Sequence, residues 1–267
     1  MPELDPFRTR NFVLDFDRYM ADYAIRSAVT RATLRSKLNV AYGGALTERL
    51  DLFFPPQQSG PAPVHIFIHG GYWRMFAKED YSFIADTVSS AGGIAAILDY
   101  SLMPDVRMAT IIDEVRRATH WIAAKAADFG GDANRITISG HSAGAHLCCF
   151  LLNPQSAPVQ AALLISGVYD LKPLQSSFLQ PEIGLTDTEV THYSPLHATQ
   201  VSTTRATILV GEAETAPFHD QANAFAHHLH SEPTTTVPAA NHMSIVLDLG
   251  TPGTPAAQAL TRMIRDS

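Results

Sequence analysis

Cysteine is almost absent from this chain of 267 residues, which contains only the neighbours Cys148 and Cys149. Side chains of consecutive residues on a helix point in different directions, so a disulfide bond between these two is not expected. Their scarcity excludes a secreted scaffold that depends on disulfide bonds. We expect both to be buried as small hydrophobic residues in a protein of a reducing compartment.

Long hydrophobic runs and clusters of positive charge are also lacking. No segment approaches the roughly 18 uninterrupted apolar residues of a membrane-spanning helix. The first residues, Met1 to Phe7, have neither the basic nor the apolar region of a signal peptide. Lys and Arg number 19 against 26 Asp and Glu, a net charge of −7. The sequence therefore predicts a cytoplasmic protein that acts on a small molecule, without nucleic acid or membrane as partner, and it is compatible with a homodimer.

The composition, 46% hydrophobic and 17% charged, is that of a folded domain. Short apolar runs alternate with amphipathic segments, which predicts a mostly parallel sheet with helices on both faces, the α/β class. One domain is expected over residues 1–267, with a helical extension at about 1–40 and a small cap at about 169–204. Strands are predicted at 49–55, 64–68, 94–98, 135–139, 161–165, 206–210 and 234–238, and helices at about 80–91, 109–125, 143–152, 217–229 and after 255.

A G-x-S-x-G pentapeptide runs from Gly140 to Gly144, between a predicted strand and a predicted helix. In that context the serine is forced onto a sharp, exposed turn. The two glycines are expected because strand and helix pass so close that a Cβ at either position would clash. Ser142 is therefore the candidate nucleophile.

A serine hydroxyl needs a base, and the base needs an orienting carboxylate. In folds with such an elbow, the acid and then the histidine follow the serine along the chain. His242 lies in a loop directly after a predicted strand, where this base is expected. The other histidines after a plausible acid lie near a helix start or at a helix end, and they are His219, His227, His228 and His230.

The acid is expected in the loop after the strand at 206–210. Three candidates lie there, Glu212, Glu214 and Asp220. Glu212 is nearer the strand and Asp220 falls within the next predicted helix, so Glu214 is favoured. The cluster at 227–230 lacks a supporting Cys or carboxylate at ligand spacing, so no metal site and no cofactor are predicted.

The segment His69 to Trp73 follows the strand at 64–68 and contains two glycines. Acyl transfer requires backbone N–H groups aimed at the developing oxyanion. Two glycines after a strand let the backbone approach a substrate closely, and the residue after the nucleophile, Ala143, is expected to supply a second set of N–H donors. Tyr72 and Trp73 are also candidates for the walls of a substrate pocket.

Together these segments resemble the α/β-hydrolase superfamily, and more closely its kynurenine formamidase (arylformamidase) branch. The likeness covers about residues 48–248 and rests on His69–Trp73, Gly140–Leu147, Leu50–Pro55, Gly211–Phe218 and His242. It implies the α/β-hydrolase fold, with Ser142 as nucleophile and His242 as general base. It also implies an oxyanion hole formed by backbone N–H groups around Gly70, Gly71, Tyr72 and Ala143.

Two positions depart from the family pattern. Such formamidases usually carry aspartate where Glu214 stands, and the extra methylene changes the reach of the carboxylate. His141 occupies a position where relatives can have glutamine, close enough to Ser142 to influence the choice of substrate.

The resemblance implies a cofactor-independent serine hydrolase that cleaves a small aryl formamide or a short-chain ester. A short-chain carboxylesterase like the hormone-sensitive-lipase group is the nearest alternative. A non-catalytic binding protein of the same fold is less favoured, because such proteins usually lose a triad residue. Dehalogenase and epoxide hydrolase chemistry is disfavoured by serine, rather than aspartate, at the nucleophile position.

Overall fold

The computed structural model describes residues 4–153, 158–198 and 204–267. Within these residues eight strands form one sheet, in the order β1-β2-β4-β3-β5-β6-β7-β8. They are β1 (Ser36–Ala41), β2 (Arg49–Phe53), β3 (Ala62–Ile68), β4 (Ile94–Leu98), β5 (Gly131–His141), β6 (Val159–Ile165), β7 (Arg205–Gly211) and β8 (Thr235–Val237). The strand β2 is antiparallel to both of its neighbours, and every other pair is parallel.

Helices cover both faces of this sheet. They are α1 (Phe16–Thr33), α2 (Ile84–Ser90), α3 (Met108–Lys125), α4 (Ala143–Cys149), α5 (Gln180–Ile183), α6 (Asp187–Tyr193), α7 (Ala216–His228), α8 (Ser244–Leu249) and α9 (Pro255–Arg265). Residues of α1, α2, α8 and α9 join one hydrophobic cluster, and residues of α3, α4 and α7 join the other.

The central strand β3 shows why both faces need cover. All seven of its residues are buried. Ile66 and Ile68 belong to one hydrophobic cluster, whereas Phe67 between them belongs to the other. Side chains alternate across a strand, so a continuous apolar run places hydrophobic groups on both faces at once. The predicted α/β class with a mostly parallel sheet is confirmed.

The N-terminal extension differs in part from its prediction. Residues 16–33 form the long helix α1, but residues 36–41 form β1 at the edge of the sheet. Most residues of β1 are exposed, so the strand has no alternating hydrophobic pattern by which it could be predicted. Within the described part of 169–204 there are two short α-helices, α5 and α6, two 3₁₀ helices (Lys172–Ser176 and Pro195–His197) and no strand; residues 199–203 lie outside the described residues.

The candidate functional segments lie at one edge of the sheet, because the parallel strands end there. β3, β5, β6 and β7 all end at this edge, and the predicted oxyanion loop, the serine elbow and the acid loop follow three of them directly. In open α/β sheets ligands bind outside the carboxyl ends of the strands. No helix among the described residues is long and apolar enough to span a membrane.

Candidate active site

Ser142 is the single residue between the end of β5 and the start of α4. Its backbone has φ 55° and ψ −118°, a conformation that residues with a side chain rarely adopt. Its N–H donates to the Ile165 carbonyl at 2.8 Å, which ties the turn to the neighbouring strand. Such strain persists only where the surroundings enforce it.

The two elbow glycines allow this turn. A Cβ on Gly140 would overlap the backbone of Gly144, and a Cβ on Gly144 would overlap the Ile68 carbonyl oxygen. Strand and helix therefore approach as closely as the pentapeptide predicts. Any side chain at either glycine would force α4 away from β3.

Glu214 and His242 are joined by a short hydrogen bond. Nδ1 of His242 lies 2.6 Å from Oε2 of Glu214, whose side chain is fully buried. The other carboxylate oxygen, Oε1, accepts hydrogen bonds from the Gly211 N–H at 2.8 Å and from the Ser166 hydroxyl. An ionised carboxylate only accepts, so Nδ1 carries the proton and Nε2 of His242 keeps its lone pair.

The structure separates the three acid candidates. Glu212 is exposed, and its carboxylate accepts from the Ala239 N–H at 2.8 Å. Asp220 is exposed on α7. Of the three, only Glu214 contacts His242.

The remaining candidate histidines lie elsewhere. His219 is on α7, and His227 and His228 are at its C-terminal end, with the ring centroids of His227 and His230 6.4 Å apart. Among the described residues no group of three or more His, Cys, Asp or Glu side chains is arranged to hold a metal ion.

The segment from Gly70 to Trp73 lies directly against the elbow. A Cβ on Gly70 would be 2.8 Å from the His141 carbonyl oxygen and 3.2 Å from Cβ of Ser142. Gly71, Tyr72 and Trp73 all have positive φ, at 100°, 50° and 57°. Three successive residues in this region make a tightly curled loop, which we call the oxyanion loop (residues 69–75), and the two that are not glycine are strained.

His69 anchors this loop, a role that the sequence did not reveal. Its Nδ1 lies 2.9 Å from the Gly70 carbonyl oxygen, and its Nε2 lies 3.3 Å from Oδ1 of Asp99. The ring stacks on Tyr100 at 4.2 Å, and the Tyr100 hydroxyl donates to the His69 carbonyl at 2.9 Å. The histidine that opens the H-G-G motif was the available signal, but Asp99 and Tyr100 come directly after the neighbouring strand β4.

Ala143 occupies the first position of α4 and is fully buried. The first amides of a helix have no carbonyl partner within that helix. The Ala143 N–H is therefore a donor available at the elbow, and the helix dipole places partial positive charge there. A developing oxyanion near Ser142 would meet both.

The two predicted pocket residues lie beneath the surface of the site. Trp73 is fully buried, and its ring meets His146 edge-on at 4.9 Å. His141 is 3% exposed, and its ring centroid is 4.6 Å from that of His242. Burial lowers the pKa of His141 well below its ordinary value, so this ring is neutral beside the candidate base.

Residues 5–13, which we call the strap, cross over the site. The Tyr72 hydroxyl donates to the Phe7 carbonyl, and the Thr215 hydroxyl donates to the Pro6 carbonyl at 2.8 Å. The Phe7 ring packs on Phe218 with centroids 6.1 Å apart, and Phe218 packs on His242 at 4.5 Å. The strap therefore joins the oxyanion loop to the acid loop. Nothing in its sequence indicated this position.

The chain is similar to several known proteins. The family model described as BD-FAE matches residues 50–176. Kynurenine formamidase of Danio rerio is 27% identical over 94% of this chain and 92% of its own length. The isoprenylcysteine alpha-carbonyl methylesterase of Arabidopsis thaliana is 29% identical over 52% of this chain and 36% of its own length. A solved structure from Silicibacter sp., described as a proposed thioesterase, has a TM-score of 0.87 at 26% identity, covering 98% of this chain and 99% of that one.

The sheet order, the serine elbow and these likenesses show a hydrolase with the α/β-hydrolase fold. The predicted resemblance to kynurenine formamidases is confirmed, because it extends over nearly the whole chain.

Proposed function

We propose that the protein is a serine hydrolase that cleaves a small aryl formamide through an acyl-enzyme. The observation that carries this proposal is the pairing of a buried carboxylate with the imidazole of His242 at 2.6 Å. That imidazole packs on His141, which directly precedes a serine held on a strained elbow. Nε2 of His242 takes the proton from Ser142, and the serine oxygen attacks the substrate carbonyl. Glu214 keeps the imidazole in the required tautomer and stabilises the imidazolium.

The oxyanion that forms is proposed to be held by backbone N–H groups of Gly70, Gly71, Tyr72 and Ala143. Removing one donor of such a hole typically costs about a hundredfold to a thousandfold in kcat. His242 then donates its proton to the leaving amine, and the formyl group remains on Ser142. In the second half of the reaction His242 takes a proton from water, the water attacks the formyl carbonyl, and His242 returns the proton to the Ser142 oxygen. No metal or cofactor takes part in these steps.

The formamide is preferred for two reasons. The sequence likeness to kynurenine formamidase of Danio rerio extends over 94% of the chain, whereas the methylesterase likeness covers 52% of it. The strap and the oxyanion loop crowd the site with aromatic rings, which suits the smallest acyl group and a planar leaving group. His141, between Gly70 and His242, and Trp73 beneath the loop are proposed to shape the acyl side.

Turnover of N-formylkynurenine against short nitrophenyl esters tests the substrate. We expect kcat/KM for the formamide to exceed that for the esters. Negligible formamide cleavage together with fast ester cleavage would make the protein a short-chain carboxylesterase, the alternative that the methylesterase likeness favours. A fluorophosphonate probe tests the mechanism, because it should modify wild-type protein and leave Ser142→Ala unlabelled.

The proposed setting is the cytoplasm, because both cysteines are unpaired and Cys148 is buried. Cell fractionation with an antibody tests this location. The partner of the site is a small molecule; sedimentation of the purified protein would establish whether it is a monomer or a homodimer.

A further inference from the structure

A groove of about 190 Å³ opens beside the oxyanion loop. The strap forms one side of it, and the oxyanion loop and the start of the cap form the other. Its walls combine aromatic and charged side chains, chiefly Arg8, Arg10, Tyr72, Arg74, Phe178 and Glu182. Tyr72 and Phe178 meet edge-on with ring centroids 5.6 Å apart. The groove thus has an aromatic floor that begins at a proposed oxyanion donor.

The three arginines of the groove differ in their partners. Arg10 forms an ion pair with Asp17 at 2.8 Å, and Arg74 forms one with Glu182 at 2.5 Å. The Arg8 guanidinium lies over the Phe178 ring, 5.2 Å from its centroid. Across residues 4–153, 158–198 and 204–267, no carboxylate pairs with the Arg8 guanidinium and no carbonyl accepts a hydrogen bond from its N–H groups.

The strap holds Arg8 in this place. The Phe178 N–H donates to Oδ2 of Asp5 at 2.5 Å, and the Tyr72 hydroxyl donates to the Phe7 carbonyl. The Arg8 N–H donates to the Asp5 carbonyl at 3.0 Å. With its backbone fixed on both sides, Arg8 loses little backbone freedom when a ligand binds.

We propose that Arg8 is a specificity-determining residue that binds a carboxylate on the leaving group of the substrate. A guanidinium presents parallel N–H donors that match a carboxylate, and this one is free to do so. The chain as a whole has a net charge of −7, so an anionic substrate needs a local cation at the entrance. The aryl ring of the substrate packs on Phe178 and Tyr72.

This assignment rests on the proposed function, which also implies that the carboxylate of the substrate belongs to its leaving group. A formyl group has no substituent, so any charge on an aryl formamide must lie on the amine that leaves. The groove borders the oxyanion loop on the side of the strap, away from the buried Trp73. Substrate recognition here affects binding and leaves the chemical step unchanged.

The test compares two substrates in wild type and Arg8→Gln. One is N-formylkynurenine without its α-amino group, which keeps the aryl formamide and the carboxylate. The other is the same molecule with that carboxylate converted to a primary amide. We expect Arg8→Gln to raise KM for the carboxylate about tenfold, which is about 1.4 kcal/mol, with kcat unchanged. KM for the neutral amide should stay the same in both proteins.

Arg18→Gln is the matched control, because Arg18 is exposed on the nearby helix α1 and lies outside the groove. It removes the same charge and should leave both KM values unchanged. An equal effect of Arg18→Gln, an equal effect on both substrates, or no effect of Arg8→Gln would overturn the assignment.

An acetate ester pair separates this proposal from the formamidase proposal. Acetoxybenzoate and acetoxybenzamide differ in the same charge on the leaving group. If wild type cleaves neither formamide, the proposed substrate class is wrong, and the ester pair still tests Arg8. Loss of the preference for the benzoate in Arg8→Gln would support its role, and an unchanged preference would refute it.

Discussion

The Ser166 hydroxyl donates a hydrogen bond to the Glu214 oxygen that His242 does not use. Ser166 follows β6, Glu214 follows β7 and His242 follows β8, so three neighbouring strand ends build one acid–base pair. The Gly211 N–H supplies a further donor to the same oxygen at 2.8 Å. The carboxylate is therefore held from both sides, and its orientation does not depend on the imidazole alone.

Substitution of the acid should separate charge from reach. We expect Glu214→Gln to lower kcat about a thousandfold to ten-thousandfold, because an amide can favour the wrong imidazole tautomer. Glu214→Asp keeps the charge but withdraws the carboxylate from the 2.6 Å contact, and we expect a loss of about a hundredfold. Steady-state kinetics on the preferred substrate measures both.

Glu212→Gln is the matched control, because Glu212 is exposed and, among the described residues, its carboxylate accepts only from the Ala239 N–H. Its kcat should stay within about twofold of wild type, as is usual for surface changes. A larger loss of kcat in Glu212→Gln than in Glu214→Gln would show that Glu212, rather than Glu214, is the acid.

Removing the Ser166 hydroxyl should have a graded effect. In Ser166→Ala the Glu214 oxygen keeps its bond to the Gly211 N–H and loses one donor. A hydrogen bond to a charged group contributes about 1.5–3 kcal/mol, so we expect kcat to fall by at least about tenfold. An unchanged kcat would mean that Gly211 alone orients the carboxylate.

A side chain at Gly70 should disturb the oxyanion loop. The added Cβ would be 2.8 Å from the His141 carbonyl oxygen, which cannot move without the elbow. We expect Gly70→Ala to reduce kcat about a hundredfold, comparable to the loss of one oxyanion donor, with a smaller change in KM. Gly60→Ala is the control, since a Cβ there meets no atom within 4 Å. Equal activities of the two variants would refute the proposed role of the loop.

Acid should destabilise the fold through His65. Burial lowers the pKa of His65 from its ordinary 6.5 to about 3, while its ring nitrogens contact Thr137 Oγ1 at 2.9 Å and Ser139 Oγ at 2.7 Å. Below pH 6.5 the unfolded chain binds a proton that the folded protein does not bind until about pH 3. This residue alone should therefore lower the free energy of unfolding by about 1.4 kcal/mol for each pH unit of acidification.

Urea unfolding at several pH values between neutral and mildly acidic checks this slope. His65→Gln removes the titrating group, so its stability should depend less steeply on pH even where the substitution itself costs stability. Parallel curves for the two proteins would contradict the prediction.

Buried, regular elements were the part of the fold that could be predicted. β4 has the predicted bounds, Ile94 to Leu98. The apolar run begins directly after two glycines and ends where a loop begins, so both ends of the buried strand are marked in the sequence. β1 and the short helix α8 were missed. β1 is an exposed edge strand, and hydrophobic and polar residues do not alternate along it, so its sequence does not indicate a strand.

The candidate site divides in the same way. The serine elbow, the oxyanion glycines and His242 follow from local motifs in a required order along the chain. The choice between Glu214 and Glu212 does not, because two glutamates in one loop differ only in where the loop directs them. The anchoring of His69 by Asp99 also needs the neighbouring strand to be in place.

The sequence by itself determined the α/β class, the serine elbow that predicts a hydrolase, and the absence of any pattern for a metal or a disulfide bond. Each of these depends on short runs or motifs, where backbone geometry is dictated locally. Only the tertiary structure decided which glutamate contacts His242, which side chains hold His69, and where the strap lies. The Thr215 hydroxyl reaches the Pro6 carbonyl across 209 positions of the chain, and a contact at that separation exists only after the sheet has brought both segments to one edge.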